Sequence, residues 1–452
     1  MHAWIRRRPL SCSSSVAHYR DLAYPVLIAV SYIVAVLANE NVAAEEPRKT
    51  IDSKAFVIPK HTATEGEGYF AIIEGHNRCL YIGTHANAVN SWLVEFNTVE
   101  KKMRIAVDAH QAIGTDLKGF GSQSKIHTRN NTGASGKIYF GTKQGYPTDK
   151  EKREDYPGGY PMVYDPANDK TTVFPIPVPH QGINSITPDE SRGVAYISTC
   201  SDGRPGPGEN SVFLKLDLKT GKYKELIDTR HIYGFICVDY RGRAYHPVLG
   251  GKVARYDPDQ DKLDLLEQTI DGKPPTAESH LADPERGHPI NWDISPDGKT
   301  LYSQPMSTNL LYSYDLTDAG PVLKGKCHGE LIPGAKATDC RAMCVGPTGT
   351  VWVAVTENVD GFGSMLHLVS YRAGDSAPKD HGVVRVTNPD FTEFEDKAGK
   401  PLPFHGGFAK QSDGSLLTKY VILGVCEAKN GAVYILALHP YSVLEVIPEA
   451  TR

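Results

Sequence analysis

Lys125, His127 and Arg129 stand two residues apart in the run Ser124-Lys125-Ile126-His127-Thr128-Arg129. Side chains alternate along an extended chain, so all three point to one side. A basic row of this kind suits an anionic ligand. The plainer alternative is hydrogen bonding to neighbouring strands. Elimination beside a carboxylate is the chemistry such residues would serve. It needs a base for the proton, an acid for the leaving oxygen, and cations for the enolate-like charge. His127 or His180 would be the base, and Tyr146 or Tyr420 the acid. Lys125, Arg129 and Arg341 would neutralise the carboxylate, with Lys143, Gln181, His288 and Asn291 as further binding contacts. Repulsion from Lys125 and Arg129 should hold the His127 imidazole neutral and able to accept a proton.

Other chemistries remain open. His180, His246 and His288 would make a transition-metal set. Asn184, Asn291 and Asp293 are a thin set for a hard cation. The chain has no Walker-type phosphate loop, no GxGxxG after a strand and no CxxC pair. The cofactor is therefore either none or a divalent metal. In a non-catalytic binding or scaffold protein, all these residues would only hydrogen-bond.

The elements that must position these residues come from a repeat. Short β-rich cores are centred on Tyr81, Tyr139, Tyr196, Tyr245, Tyr302, Trp352 and Tyr434, at spacings from 49 to 82. A turn residue precedes each: Asn77, Gly136, Gly193, Gly242, Gly298, Gly349 and Gly431. A second signature follows each core, an aromatic or aliphatic residue and then Asp or a relative. Examples are Phe96-Asn97, Tyr164-Asp165, Leu216-Asp217, Tyr256-Asp257 and Tyr314-Asp315, degraded at Tyr371-Arg372. Each unit reads as four strands joined by tight turns and one variable loop, which is a propeller blade.

Seven cores imply an all-β, seven-bladed β-propeller in a single domain over 45–452. The last strand, near Val443–Ile447, needs a partner, and Phe56-Val57-Ile58 has the character to supply it and close the ring. An eighth blade hidden around 382–394 is the alternative. The sequence resembles the secreted propellers with YVTN- or lactonase-type repeats, and more distantly the propeller-type polysaccharide lyases. The resemblance implies a lyase on a uronic-acid-containing glycan, with a metal-dependent lactonase-type or glycoside hydrolase as a further possibility. No family motif matches residue by residue.

In such a ring the long loops fall on one face. Segments 145–160, 200–211 and 356–365 would join second to third strands there; 110–124, 270–288, 325–340 and 384–418 would join blades. Long loops concentrated on one face mark it as the functional one.

A formal charge of −4 gives no reason to expect a nucleic-acid partner. An acidic glycan or another small ligand fits better. The apolar run Val26–Ala38 is too short to span a bilayer, and Val42-Ala43-Ala44 follows it as a cleavage site. Residues 1–44 therefore read as a signal peptide, the protein as secreted or periplasmic, with no stable membrane association after cleavage. Cys237, Cys344 and Cys426 each precede a turn glycine by five residues, which suits buried free thiols in one register. Cys327 with Cys340 is the one plausible bridge, and Cys200 reads as a free loop thiol.

Overall fold

The computed structural model describes residues 49–201, 210–228, 235–248, 252–276, 290–306, 308–335, 338–359, 363–388, 394–395, 401–402, 407–419 and 424–448. The signal-peptide expectation for 1–44 lies outside them.

The described chain is a seven-bladed β-propeller. The first blade runs Ile72–Glu74, Cys79–Gly83, Trp92–Asn97 and Lys102–Asp108 from shaft to rim. In the second, the innermost strand is split into Lys125–Ile126 and Asn131–Thr132, followed by Ile138–Lys143, Pro161–Asp165 and Lys170–Val173. The seventh is Val425–Glu427, Val433–Ala437 and Ser442–Val446, completed by Thr50–Val57. That last strand pairs antiparallel with Ser442–Val446, Phe56 lying opposite Val443. On its other edge it runs parallel to Lys379–Val386, the outer strand of the sixth blade. Ring closure by an N-terminal strand is therefore the observed topology, and it leaves neither edge of Thr50–Val57 unpaired.

The repeat signatures have local causes. The turn glycines 136, 193, 242, 298, 349 and 431 all have positive φ, between 67° and 86°. That is left-handed backbone, which glycine adopts without a Cβ penalty. In the first blade Arg78, not Asn77, takes this conformation, with φ 62°. In the first five blades the Asp or Asn that ends the third strand closes a turn with its own side chain. Asn97 Oδ1 accepts from Val99 N and Glu100 N, and Asp217 Oδ1 from Lys219 N and Thr220 N. The marker aromatics form the buried middle of each blade.

Opposite those aromatics, the inner strands build one layer around the shaft. Ile73, Asn131, Thr187, Cys237, Asp293, Cys344 and Cys426 face Tyr81, Tyr139, Tyr196, Tyr245, Tyr302, Trp352 and Tyr434. The three cysteines share this register and are buried and free. Burial pushes all three thiols up, Cys426 to about 12.

Four expectations need correction. Cys327 and Cys340 are both free. Cys327 lies on the outer strand Val322–Glu330 of the fifth blade, while Cys340 lies on the inner strand Thr338–Val345 of the sixth. Its thiol turns to the Thr308 carbonyl, 3.3 Å away. Cys200 is not on a loop but ends the buried strand Val194–Cys200. The segment 356–365 is not a long loop either, because the ladder continues to Val359 opposite Gly363. Within 382–418 the described residues form the end of Lys379–Val386 and two small hairpins, not an eighth blade. One hairpin, Phe408–Lys410 with Leu416–Thr418, extends the sixth blade by pairing Leu417 with Arg385.

Candidate functional site

Side chains from the first two blades meet where the inner strands enter the shaft. His85 follows the strand Cys79–Gly83 and bridges in antiparallel fashion to Lys125. Lys125 in turn stands opposite Lys143 on Ile138–Lys143. The segment before the first inner strand, Glu65-Gly66-Glu67-Gly68-Tyr69, lies against them. Gly68 permits that approach: a Cβ there would sit 2.1 Å from the Tyr441 ring.

Glu67 Oε1 is the hub of the cluster. It lies 3.2 Å from His85 Nδ1, 3.5 Å from Tyr69 Oη and 3.4 Å from Tyr146 Oη. The two tyrosine hydroxyls also hydrogen-bond each other. The His85 approach is off the line of a well-directed hydrogen bond, and its Nε2 is buried without a partner. Lys125 is 4 % exposed. Its Nζ lies 4.9 Å from the Tyr69 ring centre and 3.4 Å from that of Tyr146, and 3.4 Å from Tyr69 Oη. Among the described residues no carboxylate is within ion-pair reach of it. Tyr146, 47 % exposed, is the outermost member and covers both Lys125 and His85. Its backbone N–H is pinned to Asn87 Oδ1 at 2.7 Å. Next to this group, both amide atoms of Gln144 are buried and unpaired.

The electrostatics follow from burial. It holds the Lys125 ammonium well below its usual range, helped by repulsion from Lys143 and opposed by Glu67 and Glu65. It lowers His85, against the pull of the Glu67 carboxylate. Burial would raise Glu67 itself, but His85, Lys125 and His439 outweigh that and hold it below its usual value. Burial and the Glu67 charge push the Tyr146 hydroxyl up to about 12, so it carries its proton at neutral pH.

The basic row 125–129 does follow the shaft, but at different depths. His127 is sandwiched by aromatics, its ring centre 4.0 Å from Tyr69 and 5.7 Å from Phe70. Its pKa is lowered as expected, with burial the largest cause and Lys143 and Lys125 next. Arg129 lies deeper, its guanidinium 5.8 Å from the Phe235 ring. It pairs with Asp293 and donates to the Trp292 carbonyl at 2.9 Å. Asp293 also accepts from Val345 N at 2.7 Å. Beside the pair is a cavity of about 160 Å³ lined by Asn131, Thr187, Cys237 and Asp293 among others.

The remaining sequence candidates sit elsewhere. His180 has φ 64° and its Nδ1 lies 2.7 Å from the Tyr156 carbonyl. Gln181 donates to Asn210 O and accepts from Thr199 Oγ1. Asn291 donates to Cys340 O at 2.8 Å, tying the fifth blade to the sixth. Asn184 donates weakly to Ser198 Oγ, and His246 Nδ1 meets the Pro247 carbonyl. Arg341 is on the inner strand of the sixth blade; its side chain, with His288 and Tyr420, lies outside the described residues. No three His, Cys, Asp or Glu side chains among the described residues gather as metal ligands.

The cluster thus joins Lys125, His127, Lys143 and Tyr146 to Glu67, Tyr69 and His85. Glu67 and Tyr69 were not legible as site residues, since they precede the first repeat. Their one signal is the Gly66 and Gly68 spacing between polar residues.

Neither a family model nor a curated protein sequence matches the chain. Among solved structures, it is similar to U3-55K, with 7% identity, a TM-score of 0.50, and coverage of 87% of this chain and 98% of that one. A virginiamycin B lyase from Staphylococcus aureus aligns at 9% identity and TM-score 0.48, covering 88% of this chain and 99% of that one. The propeller domain of Cps50 (Swd1) from Myceliophteria thermophila aligns at 7% and 0.48, covering 88% and 100%. At such identities the likeness concerns the fold alone.

Proposed function

We propose that the protein is an exported carbohydrate-active enzyme, a lyase that eliminates across a uronic acid residue of an acidic glycan beneath Tyr146. The observation that supports this reading most is the grouping of Glu67, His85 and Tyr146 beside two lysines. His85 Nε2, unpaired and held on a neutral imidazole, is placed to take the proton beside the carboxylate. Glu67 orients the ring from the other nitrogen. Tyr146 is a phenol that keeps its proton and can give it to the leaving oxygen. Lys143, across the ladder from Lys125, offers positive charge to the substrate carboxylate. His127 stacks between Tyr69 and Phe70 and Arg129 is already paired, whereas His85 Nε2 has no partner and lies beneath the exposed Tyr146 ring, so His85 replaces His127 as the favoured base. Substrate would enter by displacing the Tyr146 ring, the exposed cover of the group. Export rests on the apolar run Val26–Ala38 and the small residues after it.

The test incubates the chain from Glu45 onward with polygalacturonate, alginate and a glucuronate polymer. Elimination gives a conjugated, ultraviolet-absorbing uronate; hydrolysis gives new reducing ends without it. Absorbance that grows with wild type and is lost in His85→Ala supports the reading. Reducing ends without absorbance overturn it in favour of a hydrolase. A binding propeller without chemistry is the second reading, favoured by the enclosure of His85 and Lys125. Glycan binding that survives His85→Ala, with no product from wild type, selects it.

A further inference from the structure

We infer that Lys125 is an amine nucleophile that captures an anionic aldehyde or ketone as an imine. This rests on the mouth beneath Tyr146 being a ligand site, but not on elimination being its chemistry.

The geometry points that way in four respects. The Lys125 amine is buried, and two tyrosine rings surround it. Among the described residues it has no carboxylate partner, although almost every buried cation has one. Its cross-strand neighbour is another cation, Lys143. A lysine desolvated beside a second cation is the arrangement that leaves an amine unprotonated and nucleophilic. Finally, the groups that would handle protons are adjacent. Tyr69 Oη is 3.4 Å from the amine and joined to Tyr146 Oη, and Glu67 Oε1 stands behind both.

Burial and Lys143 disfavour the charge of the amine, and Glu67, Cys200 and Glu65 favour it. His85 and His127, which also face it, are both held low chiefly by burial. The aromatic faces of Tyr69 and Tyr146 also favour a cation. Burial and the repulsion of Lys143 outweigh these, so the ammonium is held well below its usual range. An anionic carbonyl compound matches this balance, because the cation across the ladder, Lys143, attracts its acid group.

The step balances without an oxidant. The Lys125 Nζ lone pair forms the C–N bond as the carbonyl π electrons move to oxygen, which takes a proton from a tyrosine hydroxyl. One nitrogen proton returns through Glu67 to the phenols, giving the neutral carbinolamine. Its hydroxyl takes a second proton from a tyrosine and leaves as water while the nitrogen lone pair forms the C=N bond, and the remaining N–H proton goes back to that tyrosine through Glu67, leaving the imine. The sum is an amine plus a carbonyl compound giving an imine plus water.

Glyoxylate with cyanoborohydride at pH 7 fixes any imine as a stable carboxymethyl amine, and peptide mass spectrometry reads the position. Lys102 and Lys262, both well exposed, serve as references within the same chain. An ordinary lysine is largely protonated at that pH. We expect Lys125 to be modified at least about tenfold faster than either, directly or once Tyr146→Ala has removed the covering ring. Modification of Lys125 no faster than the references in both wild type and Tyr146→Ala overturns the inference. The glycan absorbance assay reads elimination separately, so either idea can fail while the other stands.

Discussion

The two ends of the shaft are built from the same strand and behave as opposites. At the lower end Arg129 is matched by Asp293 and the Trp292 carbonyl. Asn131 donates to Ile186 O, and Thr187 to Ile236 O. At the upper end, four residues earlier and among the described residues, Lys125 has no carboxylate within ion-pair reach, His85 Nε2 has no partner and the Gln144 amide is unpaired. A buried polar atom without a partner costs about 1–3 kcal/mol, so such atoms are not kept for stability. The contrast teaches that a row of like residues on one strand is not one functional unit. Its lower member ties blades together through an ion pair, and its upper member is buried with no carboxylate beside it among the described residues.

Several experiments would break or sharpen that contrast. The largest effect is expected from His85→Ala, which should lower turnover on the active glycan by roughly 10²–10⁴. Its melting temperature should move little. If unfolding accompanies the loss, the upper end is structural too, and the contrast collapses.

Arg129→Met should do the reverse. Removing one partner of a buried ion pair costs about 3–5 kcal/mol. The lower part of that range is expected here, because the Arg129 and Asp293 side chains retain 15% and 12% exposure. The double variant Arg129→Met with Asp293→Leu should recover most of the loss in a urea titration, since it leaves no orphaned charge. A single Arg129 variant as stable as wild type would show that the pair is dispensable.

Acid should weaken the whole ring. His85, His110, His127 and His328 are all held below the usual histidine value, chiefly by burial. The unfolded chain therefore binds more protons as pH falls through about 6.5, and stability drops with it. Glu67 and Asp380, held low in the fold, add to the loss further down. The urea midpoint should fall between pH 7.5 and 5.5, and His127→Gln should flatten that fall. A midpoint independent of pH would contradict the assigned neutral imidazoles.

The smallest effect separates the ends at the level of one amide. Gln144→Leu should be neutral or stabilising by about 1 kcal/mol, because it removes two unpaired buried atoms. Asn131→Leu, at the lower end, should destabilise by a similar amount.

The blades were legible because their causes are local and repeated. Tyr81 and its six equivalents mark the buried second strand, and Asn97, Asp217 and Asp257 close turns with their own side chains. Period alone also placed Cys237, Cys344 and Cys426 in one layer. The site was only half legible. Alternation put Lys125 and Arg129 on one side but could not say that the innermost strand breaks after Ile126 and leaves Arg129 on a separate bridge to Ser185. Glu67 meets Tyr146 across 79 positions through a segment outside the repeat, and no spacing rule encodes that contact. The segment 356–365 read as a loop, whereas the ladder runs through its first residues and sets Glu357 3.4 Å from His367.

The strand Thr50–Val57 carries one more consequence, in time rather than space. Its antiparallel partner, Ser442–Val446, is translated some 385 residues later. At ribosomal speeds of about 5–20 residues per second, that strand waits roughly 20–80 s for its partner. Both of its edges are free until Lys379–Val386 emerges, and the edge meant for Ser442–Val446 stays free to the end. Crowded translation should make this strand, rather than any blade, the first place where two copies entangle.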